Sequence, residues 1–164
     1  MKDPLVCVEQ LMSKDVRSCR AEDSLAVAAR LMWEHDCGCA PIVDQDGALV
    51  GMVTDRDICM AAYTQSRAIS EIPISAVMAR ALYTVSRLDT LPTAEAIMQE
   101  RQIRRLPVVD ARGRLVGILS LNDLARAVDP LHARPRSGLS ADAVELTLAA
   151  IGRPRSSPAP LSAA

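Results

Sequence analysis

The chain has 164 residues, of which 24% are charged and 49% are hydrophobic, a composition typical of one globular domain or a compact pair of small ones. A formal net charge of −1 and only three aromatic residues argue against a surface that binds nucleic acid polymers. No apolar run approaches the ~20 residues that span a bilayer, and the start lacks the apolar core of an export signal. We therefore expect a cytoplasmic protein that has no membrane partner and keeps its five cysteines reduced.

The first part of the chain predicts short strands alternating with helices. Apolar residues recur at helical spacing after Asp23 or Ser24, either of which can cap a helix, and Gly47 allows a tight turn between two apolar runs. The predicted elements are a strand at residues 16–19, a helix at 24–35, strands at 40–43 and 49–53, and a helix at 56–63. A helical turn at residues 8–12 precedes them.

The second part predicts the same order after a linker at residues 64–73. A helical turn at residues 74–78 opens it, and Asp89 or Thr90 caps its first helix. The predicted elements are a helix at residues 91–101, strands at 106–109 and 115–119, and helices at 122–128 and 141–151. Residues 153–160, rich in Pro, Ser and Arg, are expected to be disordered.

The two parts are copies of one another. A shift of 66 residues places Met12 on Met78, and it aligns residues 41–44 with 107–110 and residues 49–51 with 115–117. A unit repeated twice predicts a pseudo-twofold molecule with related clefts where its halves meet. The predicted fold class is α/β (α+β), with two β-α-β-β-α repeats packed sheet to sheet. We place the repeats at residues 8–66 and 74–130, followed by a C-terminal helix and tail at 131–164.

The most informative motif lies where the last strand of each repeat meets the following helix. Residues 51–57 and 117–123 both read Gly-apolar-apolar-(Ser/Thr)-x-x-Asp. A hydroxyl at a helix N-terminus suits a phosphate, and an Asp one turn later can accept hydrogen bonds from a ribose. The same pattern is also a capping box, which would serve only the helix. Its recurrence at equivalent positions favours a nucleotide site.

The combined motifs closely resemble a tandem pair of CBS domains, the Bateman module. The resemblance covers residues 8–128 and rests on the paired methionines, the capped helices, the apolar-Pro-(Ile/Val)-Val-Asp strands and the two strand exits. Members of this family bind adenosine-containing ligands between the two motifs, regulate an attached or partner protein, and often form flat dimers. The resemblance therefore implies a regulatory homodimer rather than an enzyme, with an unidentified regulated partner.

The resemblance implies a first binding site at the exit of the first repeat. Asp57 would hold the ribose and Thr54 the phosphate, and Arg56 would add positive charge. The other predicted contacts, which would surround the base with backbone and apolar groups, are Ser18, Cys19, Gly38, Cys39, Ala40 and Pro41.

A second site is implied at the exit of the second repeat. Asp123 and Ser120 occupy the ribose and phosphate positions beside Asn122, and Arg104 and Arg105 supply a guanidinium pair suited to phosphate. The other predicted contacts are Thr84, Val85, Leu106 and Pro107. Since the first repeat has no such arginine pair, the two clefts are expected to have unequal affinities, and each could borrow an arginine from the other repeat.

The cysteines at positions 37 and 39 leave a second interpretation open. Cys37 and Cys39, with His35 and Cys19 near them, could form a thiol or metal sensor, or they could be small apolar residues at a strand entrance. No catalytic residues and no required cofactor are predicted. The predicted function is sensing of AMP, ADP, ATP or S-adenosylmethionine. The alternatives are a ligand-free scaffold and a sensor that uses Cys37 and Cys39.

Overall fold

The structure, a computed structural model, describes residues 6–128 and 139–154. Its helices and strands follow the predicted order. They are α1 (Leu25–Glu34), β1 (Cys39–Val43), β2 (Leu49–Thr54), α2 (Asp55–Gln65), β3 (Val85–Ser86), α3 (Leu91–Arg101), β4 (Arg105–Val109), β5 (Leu115–Ser120), α4 (Leu121–Val128) and α5 (Ala141–Ile151). Short 3-10 turns at Val8–Gln10 and Ile74–Ala76 precede the repeats. Of the tail expected to be disordered, residues 155–160 lie outside the described residues.

Each repeat contains one antiparallel hairpin with a helix before and after it. β1 pairs with β2, and β4 pairs with β5, while β3 adds to β4 in parallel. In the first repeat the predicted strand at 16–19 is reduced to a single parallel bridge between Cys19 and Ile42. The backbone of Cys19 accepts a hydrogen bond from Val43 and donates one to Pro41, which uses the whole pairing capacity of that residue. The predicted fold class is confirmed.

The tips of the two hairpins meet each other across the pseudo-twofold axis. Gly47 and Gly113 turn the chain with φ values of 81° and 75°, which a residue with a Cβ adopts only with strain. Leu49 N–H donates to the carbonyl of Gly113, and Leu115 N–H donates to that of Gly47, both at 3.1 Å. These reciprocal bonds join the sheets of the two repeats.

The opening turn of each repeat packs on the other repeat. Ser13 bridges Ile118 of β5, and Ala79 bridges Met52 of β2. The core of the second repeat accordingly includes Val8, while that of the first includes Ile74. The two units therefore exchange their first segments, an arrangement that periodicity along the chain does not reveal.

A close methionine–glycine contact fastens each exchanged segment. A Cβ at Gly117 would lie 2.6 Å from Sδ of Met12, and one at Gly51 would lie 2.6 Å from Sδ of Met78. Only a residue without a side chain leaves room for the methionine at this distance. The repeated Met and Gly positions are thus explained by one contact made twice.

Helix α5 completes the core of the second repeat. Ser140 caps it by accepting a hydrogen bond from Ala143 N–H, and it packs on α3 and α4 with Val144 and Thr147 buried. Across the described segments, no helix is both long and apolar enough to cross a membrane.

Candidate functional site

The two strand exits have the same hydrogen-bond geometry. Thr54 donates its hydroxyl hydrogen to Oδ2 of Asp57 at 2.7 Å, and the N–H groups of both residues complete a reciprocal capping box. Ser120 and Asp123 repeat these bonds, with the hydroxyl donating at 2.6 Å. At each exit the hydroxyl and Oδ2 of the carboxylate therefore cap the helix. The second carboxylate oxygen, Oδ1, takes no part in the cap and can bind another partner.

That remaining oxygen distinguishes the two exits. Oδ1 of Asp123 accepts a hydrogen bond from Arg126 at 2.5 Å, and the Asp123 side chain is only 6% exposed. In the first repeat the position equivalent to Arg126 is Met60, and Oδ1 of Asp57 has no hydrogen-bond partner among the described residues. At the second exit, the carboxylate of Asp123 is nearly buried and is paired with the exposed Arg126. At the first exit, the carboxylate of Asp57 is more accessible.

The exit of the second repeat opens into a cleft of about 520 Å³, which we call the Asp123 cleft. Residues of both repeats line it. The predicted site residues among them are Cys39, Pro41, Arg104, Arg105, Ser120, Asn122 and Asp123. The structure thus places Cys39 and Pro41, which were grouped with the first exit, beside the second. They reach it because the repeats are joined through their sheets.

Local hydrogen bonds position the arginines at this exit. Leu121 N–H, the first amide of α4, donates to the carbonyl of Arg104 at 2.9 Å, which ties the start of β4 to the motif. Arg105 follows as the first residue of β4, and its guanidinium lies close to Gly38 and Cys39 of the other repeat. The borrowing of an arginine by one cleft from the other repeat stays a prediction.

The other predicted site residues do not line the Asp123 cleft. Four have side chains in the hydrophobic cores, so only their backbone could face a ligand: Cys19, Ala40, Val85 and Leu106. The others outside this cleft are Ser18, Gly38, Thr54, Arg56, Asp57, Thr84 and Pro107.

Eleven residues that line the Asp123 cleft were not among the site residues predicted from the sequence. The additional lining residues are Ser13, Asp15, Val16, Arg17, Leu31, His35, Asp36, Cys37, Ile118, Leu121 and Arg126. Ser13 arrives there through the segment exchange, because it pairs with Ile118 of β5. Arg126 carries a local signal, since it follows Asp123 by three residues and so lies on the same helix face.

The charged groups of the cleft that have no partner there are three arginines and two exposed aspartates, Asp15 and Asp36. The guanidinium groups of Arg17, Arg104 and Arg105 make no hydrogen bond or ion pair with the residues that the structure describes. Asp123 is the one nearly buried carboxylate of the cleft, and Arg126 already neutralises it. Three guanidinium groups are therefore available for an anion.

The second repeat differs from the first at the positions related to Arg17 and His35. There the chain has Tyr83 and Arg101, and the Arg101 guanidinium lies 4.7 Å from the centre of the Tyr83 ring, in a cation–π contact. Gly38, the residue equivalent to Arg104, has little room for a side chain, since a Cβ there would lie 3.0 Å from Oδ2 of Asp55 and 3.2 Å from the Arg105 guanidinium. The side chains near the two exits therefore differ, and the unequal affinities stay a prediction.

The thiols near the cleft are poorly suited to ionise. Burial raises the pKa of Cys39 to about 11, although Arg105 opposes the shift, and burial likewise raises that of Cys19 to about 11. Cys37 is exposed and directs its thiol to the carbonyl of Cys39 at 3.5 Å. Among the residues described, no three His, Cys, Asp or Glu side chains are grouped so that they could hold a metal ion.

Comparison with known proteins identifies the repeated unit. The sequence profile of the CBS domain matches residues 8–63 and 74–130. The CBS domain-containing protein YhcV of Bacillus subtilis is 40% identical over 118 residues, which is 72% of this chain and 82% of YhcV.

Two solved structures share the fold. The CBS domain pair of protein MJ0100, in complex with methylthioadenosine and S-adenosylmethionine, has a TM-score of 0.69 at 29% identity and covers 75% of this chain and 95% of its own. Hypoxic Response Protein I, with two coordinated zinc ions, has a TM-score of 0.69 at 31% identity, with 76% and 100% covered.

Proposed function

Because this chain belongs to the CBS domain family, we propose that it is a regulatory module that binds an adenosine-containing ligand in the Asp123 cleft and transmits occupancy to a partner protein. The observation that carries the proposal is that residues of both repeats line one cleft, at a strand exit whose hydrogen-bond geometry occurs in both repeats. A ligand there contacts both repeats at once. It therefore favours the arrangement of the repeats in which those contacts form.

The dimensions and chemistry of the cleft support an adenosine ligand. A volume of about 520 Å³ falls within the range of small-molecule pockets, roughly 300–1,000 Å³. Val16, Pro41 and Ile118 offer apolar surface to a base. Asp123 has one lone pair left on Oδ1, beside Arg126, that can accept a hydrogen bond from a ribose hydroxyl.

The uncommitted arginines favour a phosphorylated ligand. The Ser120 hydroxyl gives its hydrogen to Asp123, so it cannot also donate to a phosphate. Phosphate binding therefore falls to Arg104 and Arg105 at one wall and to Arg17 at the other. Three guanidinium groups match ADP or ATP better than AMP, and they oppose the positive sulfonium of S-adenosylmethionine.

The proposal also covers the compartment, the oligomeric state and the partner of the protein. We place it in the cytoplasm as a homodimer without catalytic activity, acting on a protein not yet identified. The five free cysteines are consistent with a reducing compartment. Both exit sites would be regulatory, with the Asp57 exit the weaker one because no arginine pair accompanies it.

The proposal is tested by calorimetric titration of the reduced protein with ADP, ATP, AMP, methylthioadenosine and S-adenosylmethionine. We expect saturable binding that is tightest for ADP or ATP, and a loss of at least about tenfold in affinity for Asp123→Asn. Asp57→Asn is the matched comparison, since it removes the same group at the exit proposed to be weaker, and it should leave the tight binding at the Asp123 cleft unchanged. Arg105→Gln should weaken ADP but leave methylthioadenosine unchanged.

The outcomes separate this function from its alternatives. No binding of any nucleotide would favour a ligand-free scaffold, in which the capping boxes at Thr54 and Ser120 serve only their helices. Equal binding by wild type and Asp123→Asn would place the ligand elsewhere. The thiol or metal sensor at Cys37 and Cys39 has less support, because burial keeps the Cys39 thiol protonated.

A further inference from the structure

A second cavity shares part of its wall with the Asp123 cleft. It is a groove of about 930 Å³ between α1 and α2, with Trp33 on one helix and Ile58 on the other, and we call it the first-repeat groove. Asp36, Cys37 and Arg105 line both the groove and the cleft. A side chain at this common wall can therefore act on either cavity.

Arg105 differs from the other groove residues in origin and in charge. Among the described residues that line the groove, it alone belongs to the second repeat, and it alone is basic. The other charged residues of the groove are Asp36 and Asp55, and both are exposed. A movement of the Arg105 guanidinium from the groove to the cleft therefore makes the groove more negative and the cleft more positive.

The structure places this guanidinium near the start of α2. The position of a Cβ at Gly38 would lie 3.2 Å from a terminal nitrogen of Arg105 and 3.0 Å from Oδ2 of Asp55. The two charged groups thus face each other across a glycine, but they form no ion pair in the described part of the chain. Oδ2 of Asp55 has no hydrogen-bond partner among the described residues, since the Arg56 N–H donates to Oδ1. The attraction between Arg105 and Asp55 is therefore weak enough for a stronger anion to replace it.

This arrangement occurs once, although the structural unit occurs twice. The shift of 66 residues relates Arg105 to Cys39 and Asp55 to Leu121, which are a buried thiol and an apolar side chain. The charged pair is therefore a difference between the repeats and is not explained by the shared motif.

We propose that Arg105 exchanges the carboxylate of Asp55 for a phosphate group of a ligand in the Asp123 cleft, and that this exchange reports the occupancy of the cleft at the first-repeat groove. The inference rests on the proposed function, because it requires a phosphorylated ligand. A phosphate group carries more charge than a carboxylate and can accept two parallel hydrogen bonds from a guanidinium. Only the flexible side chain has to turn, since Arg105 already lines both cavities.

The exchange changes the groove without moving a helix. Asp55 is the first residue of α2, so the positive end of the helix dipole remains beside its carboxylate when the guanidinium leaves. The groove then keeps the charges of Asp36 and Asp55 and loses its basic group. Because Asp55 and the ligand compete for one guanidinium, each weakens the hold of the other on Arg105.

The first test is calorimetric titration of the full chain with ADP and with methylthioadenosine, which has no phosphate. Asp55→Asn should tighten ADP binding by about threefold, because an exposed competing charge is removed, and should leave methylthioadenosine binding unchanged. In an Arg105→Gln background, Asp55→Asn should not affect ADP, whereas a direct repulsion between Asp55 and the phosphates would persist there. Asp46→Asn is the matched control, because it removes an exposed carboxylate of the first repeat that lines neither cavity.

A second measurement reads the charge of the groove through Cys59, an exposed thiol on its α2 side. Iodoacetate is an anion and iodoacetamide is neutral, so the ratio of their alkylation rates at Cys59 falls when its surroundings become more negative. At low ionic strength, saturating ADP should lower this ratio by about twofold in wild type and should leave it unchanged in Arg105→Gln.

The outcomes distinguish a failure of the exchange from a failure of the proposed function. Equal ADP affinities of wild type and Asp55→Asn, or a tightening that persists without Arg105, would overturn the exchange while nucleotide binding stands. An unchanged alkylation ratio in ADP-saturated wild type would likewise overturn it, because the groove would not sense the ligand. No binding of any nucleotide to wild type would overturn the proposed function and the exchange together.

Discussion

At the scale of single residues, the packing of α5 on the second repeat buries an ionisable side chain, that of Glu95. The carboxyl lies beneath α5, and its Oε1 is buried without a hydrogen-bond partner. Burial raises the pKa of Glu95 above its ordinary value of 4.5, while a hydrogen bond with Thr147 opposes the shift. The folded protein therefore holds the proton more tightly than the unfolded chain does.

This shift predicts the sign of a pH effect on stability. Wild type loses stability as pH rises from about 4 toward 7, because the buried carboxyl must ionise, whereas Glu95→Gln does not. The variant should be more stable than wild type by about 1 kcal/mol at pH 7 and nearly equal to it at low pH. Urea unfolding across this range measures the difference, with the exposed Glu100→Gln as control. Parallel pH profiles for wild type and Glu95→Gln would show that the carboxyl ionises without penalty.

At the scale of elements, the exchanged opening segments depend on two glycines that are not equivalent in their surroundings. A Cβ at Gly117 would meet the backbone carbonyl of Ser13 at 3.0 Å in addition to Met12. At Gly51 the close neighbours are the flexible side chain of Met78 and, at 3.4 Å, Ile42. A methionine can move aside more easily than a backbone carbonyl in a strand bridge.

We therefore expect Gly117→Ala to destabilise the protein more than Gly51→Ala. Overpacking costs roughly 1–3 kcal/mol, and the upper part of that range should apply where Ser13 must also shift. The bridge at risk is the hydrogen bond from Ile118 N–H to the carbonyl of Ser13, at 3.0 Å. Chemical denaturation of the two variants measures this ranking. Equal losses would mean that the opening segment relaxes freely on both repeats.

The same elements show how far sequence reasoning reaches. The helices and the hairpins follow from local periodicity, caps and turn glycines, so α1, α5 and the β4–β5 hairpin were predictable. The exchange of opening segments joins Ser13 to Ile118 across about a hundred residues, and no local pattern encodes it. The strand at 16–19 failed as a prediction because only Cys19 finds a partner. In the candidate site, the exits at Thr54 and Ser120 could be predicted because they carry a sequence motif. The opposite wall could not, because residues such as Ser13 reach the cleft only through the exchange of opening segments.

At the scale of the whole molecule, the proposed mechanism depends on one ligand contacting both repeats. The Asp123 cleft takes Asp15 and Pro41 from the first repeat and Asp123 from the second. The hairpin tips already join the repeats at Gly47 and Gly113, so a ligand in the Asp123 cleft would act at the opposite ends of the same strands. Binding can bias their relative orientation only through contacts that differ between orientations.

Hydrogen exchange measures whether the ligand spans the repeats. With ADP bound, amides at residues 37–41 and at 118–123 should both exchange more slowly, because each set lines the cleft. The turn at residues 111–113 lies at the far end of the hairpin and serves as the internal control. Protection confined to the second repeat would show that the ligand rests on one unit and cannot reorient the pair. Protection in both repeats would support a signal that passes from the occupied cleft to the surfaces the repeats present to a partner.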